Sequence, residues 1–313
     1  MLPDLDHLLL ALFQALVLVL AAPLVSGMAR VIRAKMHNRI GPGLLQDYRD
    51  LYKLMQRQEV WPPDSGWVFR RMPMIIMAAL LVISTGTPML TRFAPIAACG
   101  DLITTIYLFA LARFFLALSG IDSGSSFAGI GASRELTVGV LVEPTMLLSL
   151  FVTALLVGST DLGTIGTAIA SGHVHSVTAV VVAGLAFGFA IYVELGKLPY
   201  DMAEAEQELQ EGPLTEYSGP SLALLKWSLA FKQTIVVGWF VGLFLPFGSA
   251  VALTPVAVLL GLAAFAVKVL VIFLVVGVVS NSVARTRFRF MPRHSWVGVG
   301  VASLAFVFYL VGL

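Results

Sequence analysis

The chain has 313 residues, of which 58% are hydrophobic and 12% are charged, and its mean hydropathy is +0.91. Because about a quarter of the residues of soluble domains are charged, this composition excludes a soluble enzyme and indicates a membrane protein that crosses the bilayer repeatedly. The formal net charge is only +2, and the single Cys99 excludes both a disulfide and a thiolate cage for zinc or an iron–sulfur cluster within the chain. We therefore expect no metal or cofactor in this chain, and any redox centre to belong to a partner subunit.

Eight apolar stretches approach the ~20 residues that a helix needs to cross a bilayer. They lie at about residues 7–29, 73–91, 102–119, 135–158, 177–195, 227–247, 254–280 and 295–313. The sequence thus predicts an all-α integral membrane protein with a single membrane domain over residues 1–313, built as a bundle of eight transmembrane helices.

Lysine and arginine are distributed unevenly among the predicted connections. The connections after spans 1, 3, 5 and 7 hold nearly all of them, whereas the connections after spans 2, 4 and 6 hold only Arg92. Because cytoplasmic loops are enriched in Lys and Arg, we expect both termini outside and long cytoplasmic loops after the odd-numbered spans.

The first inside connection, residues 30–71, is basic and contains a predicted amphipathic helix. After the breaker at residues 41–43, apolar side chains recur at helical spacing. They are Leu44, Tyr48, Leu51, Tyr52 and Met55. We expect this helix to lie along the membrane interface, where the basic segment either binds anionic lipid heads or serves a partner.

Two acidic residues, Glu135 and Glu143, lie in the fourth predicted span, after a run of small residues from Gly120 to Ser133 that predicts a flexible loop. Pro144 directly after Glu143 would free a backbone carbonyl. Three cations also lie within predicted spans, namely Arg113, Lys232 and Lys268. The embedded acids either form structural pairs with these cations or act with them as a proton relay.

The stretch from Tyr192 to Gly219 is dense in carboxylates. The seven acidic residues are Glu194, Asp201, Glu204, Glu206, Glu208, Glu211 and Glu216. Four of them, at i, i+3, i+7 and i+10 from Asp201, would share one face of a short helix that Asp201 caps and Gly212 ends. A solvated acidic loop is the simpler interpretation, but Glu194 lies inside the preceding apolar run, where an ionisable residue is a functional candidate.

The last inside connection, residues 283–296, alternates arginines with phenylalanines. Its basic residues Arg285, Arg287 and Arg289 complement the charge of the acidic stretch. Nucleic acid is the usual alternative partner of a basic and aromatic segment, but a short loop of a membrane protein makes us expect none.

The acidic stretch resembles the signature loop of the membrane subunit that links the redox arm to the membrane arm of respiratory complex I. It matches the pattern E-x-x-x-x-P-[FY]-D-x-x-E-x-E-x-E-L from Glu194 and ends in E-Y-S-G, while R-I-G-P-G at residues 39–43 is similar to the R-x-G-P turn of that family. Complex I proteins usually carry Thr-Asn-Arg where this chain has residues 195–197. The form here is more similar to the paralogous subunit of group 4 nickel–iron hydrogenases, of the formate hydrogenlyase and hydrogenase-4 type.

The resemblance implies a non-catalytic membrane anchor and coupling subunit in the bacterial inner membrane. Its expected partners are the hydrogenase large and small subunits, iron–sulfur subunits and antiporter-like membrane subunits, with the nickel–iron centre and iron–sulfur clusters in those partners. The resemblance favours the relay hypothesis for the embedded residues. The expected docking residues are Arg39, Asp201, Glu204, Glu206, Glu208, Glu211, Glu216, Arg285, Arg287 and Arg289.

Two other functions stay open at this point. One is the quinone-chamber subunit of a complex I type NADH dehydrogenase. The other is a stand-alone proton-coupled transporter, against which we weigh the lack of a convincing internal repeat and the large inside loops.

The predicted topology can be tested with reporter fusions. Fusions at Leu313 and His173 should report a periplasmic position, and fusions at Glu59 and Gln210 a cytoplasmic one, because of the Lys and Arg asymmetry. A cytoplasmic reporter at Leu313 would show that the predicted number of spans or their orientation is wrong.

Overall fold

The computed structural model describes residues 4–203 and 206–312. The α-helices are α1 Leu5–Met36, α2 Gln46–Met55, α3 Trp67–Gly86, α4 Leu102–Asp122, α5 Ser126–Val157, α6 Leu162–Ser171, α7 Val177–Glu194, α8 Glu206–Leu209, α9 Gly219–Phe244, α10 Pro255–Ser282 and α11 Met291–Val311. Short 3-10 helices occupy Gly212–Leu214 and Phe288–Phe290.

Among the residues that the structure describes, eight helices are long and apolar enough to cross a membrane, namely α1, α3, α4, α5, α7, α9, α10 and α11. This confirms the predicted all-helical bundle of eight spans. α6 is a further apolar helix of 10 residues in the connection after the fourth span. The sequence analysis left these residues in a connection between two spans.

Several helices extend beyond the predicted apolar spans, most clearly α5. This helix begins at Ser126, so the predicted flexible loop is helical over its second half. The small residues there serve close packing, because a Cβ atom on Gly131 would lie 2.7 Å from the backbone of Gly212. Similarly, α1 continues to Met36 instead of ending near residue 29, and α9 begins at Gly219 instead of near residue 227.

α9 lies at the centre of the bundle, packed against α1, α2, α3, α6, α7 and α10. Its Trp239 is fully buried and packs between Phe109 of α4 and Phe187 of α7. The apolar window of α9 is 61% buried, compared with 28% for α10 and 22% for the last span. α10 and α11 are therefore peripheral, with long faces open to lipid or to other subunits.

α2 is the predicted helix of the first inside connection, and its position along the membrane interface stays a prediction. The side of α2 that meets α1 and α9 carries Asp47 and Leu51, both buried, whereas Tyr52 and Met55 are exposed. Asp47 forms an ion pair with Arg30 of α1. The helix is thus attached to the bundle by a salt bridge as well as by apolar contact.

Gln14 of α1 secures the C-terminal end of α3. Its side chain is fully buried, and Nε2 donates to the carbonyls of Ser84 at 2.6 Å and Thr87 at 2.8 Å. Its Oε1 accepts from the backbone N–H of Leu90 at 3.3 Å. The last carbonyls of a helix have no partner within it, so Gln14 supplies the hydrogen bonds that a buried helix end requires.

We predict that Gln14→Leu lowers the free energy of unfolding by about 2 kcal/mol or more, since each buried polar group left unpaired costs about 1–3 kcal/mol. The thermal unfolding midpoint of the detergent-solubilised protein measures this. Gln56→Leu, at an exposed position just after α2, is the matched control and should change the midpoint little. Equal midpoints for both variants would show that Gln14 does not secure the end of α3.

A buried ion-pair cluster as the candidate functional site

Arg113 of α4 is the centre of a cluster of ionisable side chains within the membrane-spanning helices. Its Nη1 lies 2.5 Å from Oε1 of Glu143 on α5, and its Nη2 pairs with Glu194 at the C-terminal end of α7. Glu135, two turns before Glu143 on α5, approaches the Arg113 Nε at 3.9 Å. One guanidinium thus joins three carboxylates that lie far apart in the sequence.

Lys232 of α9 completes the cluster. Its Nζ lies 3.2 Å from Oε2 of Glu194 and 3.7 Å from Oε1 of Glu135. Glu194 is therefore held between two cations that come from different helices. With all five groups ionised, the three carboxylates exceed the two cations by one negative charge.

Burial makes this pairing necessary. The exposed fractions are 8% for the Arg113 side chain, 6% for Glu194 and 13% for Lys232. Removing one charge of a buried pair leaves an uncompensated ion, which costs about 3–5 kcal/mol. The ion pairs are therefore those that the structural interpretation of the embedded acids requires, with Arg113 and Lys232 as the cations.

Lys268, the third predicted cation, lies outside the cluster. Its Nζ donates to the backbone carbonyl of Leu245 at 2.7 Å, just after the C-terminal end of α9. The ammonium group thus satisfies a carbonyl of a helix end. The structure does not place Lys268 near the acids with which we grouped it.

Gly139 is a residue of the site that the sequence analysis missed. A Cβ atom on Gly139 would lie 2.4 Å from the Nη1 of Arg113, so a larger residue there would displace the guanidinium from its path across α5 to Glu143. An isolated glycine in an apolar helix one turn before a carboxylate is the signal that could have found it.

A small cavity of about 70 Å³ adjoins the cluster and can hold water. Arg113, Glu135, Glu194 and Lys232 line it, together with residues that follow α7. A larger cavity of about 430 Å³ lies between α1, α2, α9 and α10, and its lining combines Arg30, Asp47 and Lys226 with apolar side chains of α10. The second cavity was not expected from the sequence.

Three side chains line both cavities, namely Leu214, Leu229 and Gln233. Gln233 follows Lys232 directly, and its Nε2 donates to the carbonyl of Leu195 at 3.2 Å. Gln233 is thus the polar part of the wall that separates the larger cavity from the cluster.

The acidic stretch does not form the predicted helix with one acidic face. Residues 201–203 are not helical, and α8 spans only Glu206–Leu209. Glu204 lies outside the described residues. The prediction failed because the acidic side chains bind cations on different elements of the same chain instead of sharing one surface.

These cations tie the acidic stretch to three parts of the bundle. Asp201 accepts from Arg285 of the last inside connection at 2.6 Å, and Lys226 of α9 lies 3.2 Å from Glu211. Glu208 pairs with Arg134 of α5 at 2.8 Å, and this hydrogen bond lowers the pKa of the Glu208 carboxyl. The stretch is therefore anchored to α5 and α9, the helices that also carry part of the cluster.

The end of the stretch is anchored to the first inside connection. Tyr217 stacks on Phe69 at the start of α3 with ring centroids 4.0 Å apart, and its hydroxyl donates to the Phe69 carbonyl at 2.8 Å. Burial raises the pKa of the Tyr217 hydroxyl. The Oγ of Ser218 accepts from the Val60 N–H and donates to its carbonyl, both at 2.8 Å.

The remaining predicted docking residues are distributed over the inside connections. Arg39, Arg287 and Arg289 are exposed, and Glu216 is partly buried. Glu206 lies in α8, and its side chain is outside the described part of the structure. In the described ranges 4–203 and 206–312, no group of three or more His, Cys, Asp or Glu side chains is placed to hold a metal ion.

Comparisons with known proteins agree with this fold. Hydrogenase-4 component C of Escherichia coli (strain K12) is 52% identical over 303 residues, which cover 97% of this chain and 96% of that protein. Formate hydrogenlyase subunit 4 of the same organism is 50% identical over 296 residues, with 95% and 96% covered. An NADH-quinone oxidoreductase subunit of Geobacter sulfurreducens is 36% identical over 230 residues, or 69% of each chain.

A solved structure has the same fold. A chain of the membrane-bound sulfane sulfur reductase, an archaeal respiratory membrane complex, superposes with a TM-score of 0.86 over 97% of this chain and 99% of its own length, at 22% sequence identity. The profile of the NADH dehydrogenase family matches residues 8–311. The resemblance to hydrogenase and complex I membrane subunits is thereby confirmed, and the chain is a multi-pass membrane protein that belongs to the NADH dehydrogenase family.

Proposed function

We propose that this chain is the membrane anchor and coupling subunit of a hydrogenase complex of the hydrogenase-4 or formate hydrogenlyase type in the bacterial inner membrane. The two Escherichia coli relatives support the assignment, because they match at 52% and 50% identity over nearly their whole lengths. The observation that carries the coupling role is the cluster around Arg113, which is buried among four membrane-spanning helices and adjoins the acidic stretch of the inside surface.

The chain supplies docking and proton handling, and its partners supply the redox chemistry. Hydrogenase large and small subunits with the nickel–iron centre, and iron–sulfur subunits with their clusters, would bind at the inside surface. Antiporter-like membrane subunits would bind beside the spans. The docking surface is formed by the acidic stretch, including Glu204, Glu206 and Glu216, and by the basic residues Arg39, Arg285, Arg287 and Arg289.

Glu194 is the point at which a movement of the inside surface reaches the cluster. It is the last residue of α7, and the chain continues from it directly to Asp201, which is bound by Arg285. Two charges 4 Å apart interact by about 4 kcal/mol at an effective dielectric constant of 20. A displacement of about 1 Å between Glu194 and Arg113 or Lys232 therefore changes the free energy of protonating Glu194.

Protonation of Glu194 would then change the ion pairs of the other carboxylates in the cluster. Glu135 and Glu194 share both Lys232 and Arg113, whereas Glu143 contacts Arg113 and lies two turns further along α5. When Glu194 loses its cation contacts and takes a proton, Arg113 is freed to pair more strongly with Glu143. Protonation of Glu194 thus leaves two carboxylates, Glu135 and Glu143, for the two cations, and no member of the cluster becomes an unpaired buried ion.

The larger cavity supports a second candidate function. It is large enough for part of a quinone-sized molecule and combines charged and apolar walls, as a quinone-chamber subunit of a complex I type enzyme requires. Copurification of a quinone with the assembly would favour this function. The third hypothesis, a stand-alone transporter, has no support from the relatives, which are named as components or subunits.

We predict that Glu143→Gln and Glu194→Gln lower formate-dependent hydrogen evolution by intact membranes at least tenfold. Gln preserves the size of the side chain but cannot carry the proton. Hydrogenase activity with an artificial dye, which bypasses the membrane arm, should stay within about twofold of wild type. Glu59→Gln on the inside surface is the control, because Glu59 accepts a hydrogen bond from Ser221 outside the cluster.

Two outcomes would count against the relay. Wild-type hydrogen evolution in both Gln variants would assign the acids a structural role only. Loss of the assembled complex in both variants would show that pairing with Arg113 and Lys232, rather than titration, is what the cluster provides.

The docking surface can be tested by reversing the charges of Glu208 and Glu211, which pair with Arg134 and Lys226 of this chain. We predict that Glu208→Lys combined with Glu211→Lys reduces the soluble hydrogenase subunits bound to membranes at least fivefold while this chain stays inserted. A double change is needed because single surface pairs contribute only about 0–1 kcal/mol. Glu59→Lys combined with Asp64→Lys makes the same change of charge elsewhere on the inside surface and should retain the partners.

Copurification decides the assignment itself. Isolation of the intact assembly through a tag on this chain should recover a nickel-containing large subunit, detected by metal analysis and mass spectrometry. An assembly that contains flavin and NADH-oxidising subunits but no nickel would replace the proposed function with the complex I alternative.

A further inference from the structure

Glu143 differs from the other acids of the cluster in the direction it faces. Its side chain is 35% exposed, compared with 19% for Glu135 and 6% for Glu194. It does not line the small cavity that the other four members of the cluster share. The exposed part of Glu143 therefore opens on the outer surface of the bundle.

The surface around Glu143 is apolar. On α5, Val140 is 68% exposed and Pro144 is also exposed, while Leu111 and Phe114 are exposed on α4. These residues lie near the same depth, because Arg113 of α4 contacts Glu143 directly. A carboxylate thus interrupts a hydrophobic surface in the middle of two membrane-spanning helices.

Lipid tails cannot satisfy this carboxylate. A charged side chain at the centre of a spanning helix costs a few kcal/mol on insertion, and the cluster already holds one carboxylate more than it has cations. Within the described residues, Arg113 is the partner of Glu143 in both its hydrogen bond and its ion pair. A second cation facing Glu143 from outside would balance the cluster.

The exposed face of α10 differs from the surface around Glu143, because it carries no exposed carboxylate among its described residues. Its outward residues, such as Val267, Leu270, Val271 and Leu274, are all apolar. Lys268 on this helix is directed to the carbonyl of Leu245. Lipid alone can cover this face, so α10 does not need the polar partner that the surface of α4 and α5 needs.

We propose that the outward surface of α4 and α5, formed by Leu111, Phe114, Val140, Glu143 and Pro144, is the docking surface for a membrane-spanning helix of a neighbouring subunit. That helix presents a lysine or arginine to the exposed oxygen of Glu143. The inference rests on the proposed function insofar as it requires a multi-subunit membrane assembly. Beyond the proposed function, it states where the neighbouring subunit contacts this chain, at Glu143, and that the contacting residue is positively charged.

Photo-cross-linking in the intact complex tests the surface. p-Benzoylphenylalanine replaces Val140, one turn from Glu143, and in a separate control it replaces Val271 on α10. We expect irradiation of the purified complex to link Val140 to a transmembrane helix of a neighbouring subunit at least tenfold more than it links Val271. Peptide mapping should place a lysine or arginine of that helix within about one turn, 5.4 Å, of the attachment point.

A complex in which position 140 forms no protein adduct, or one only with a helix that lacks a basic residue there, would overturn the proposal.

A charge exchange provides the second test. Glu143→Lys should release the neighbouring membrane subunit, and the reverse change at its mapped basic residue should restore binding at least fivefold. Failure of the exchange to restore binding would also count against the ion pair.

The hydrogenase assignment and the docking surface on α4 and α5 can be refuted independently. An assembly without nickel but with the mapped ion pair would refute the hydrogenase assignment and keep the docking surface. An assembly with nickel and no adduct at position 140 would refute the docking surface and keep the assignment.

Discussion

The pairing of one guanidinium, that of Arg113, with three carboxylates is the interaction on which the inside half of the bundle depends. A lone ion at this burial would cost several kcal/mol, so α4, α5 and α7 must stay close enough to share Arg113. Lys232 adds α9 to the same constraint. The helices are thus fixed relative to one another by charge as well as by the packing of Phe109, Phe187 and Trp239.

The acidic stretch is connected to the same helices from the inside surface. Its ion pairs reach α5 through Arg134 and α9 through Lys226, and its first acidic residue, Glu194, is itself a member of the cluster. A force applied by a soluble partner at the inside surface therefore acts on the distances within the cluster. This short mechanical path is the physical basis that we propose for coupling.

The sequence predicted the eight spans because an apolar run of about 20 residues is a strong signal. It also singled out five of the cluster residues, since ionisable side chains within spans are few and costly. It could not assign partners, because hydropathy does not encode which helices are neighbours, and Lys268 was grouped with the acids for that reason. The acidic helix was predicted wrongly because Arg285 and Arg134 pair with its carboxylates from different parts of the chain. Residue spacing within the stretch does not reveal these tertiary contacts.

The central claim is that Glu194 changes its protonation state when the partners change their redox state. Redox-induced difference infrared spectroscopy of the intact complex measures this directly through the carbonyl band of a protonated carboxyl group. If Glu194 changes its protonation state, a carboxyl band appears with the redox change, shifts in deuterated water and is absent in Glu194→Gln. A difference spectrum without carboxyl bands, or one that Glu194→Gln leaves unchanged, would show that Glu194 keeps one protonation state.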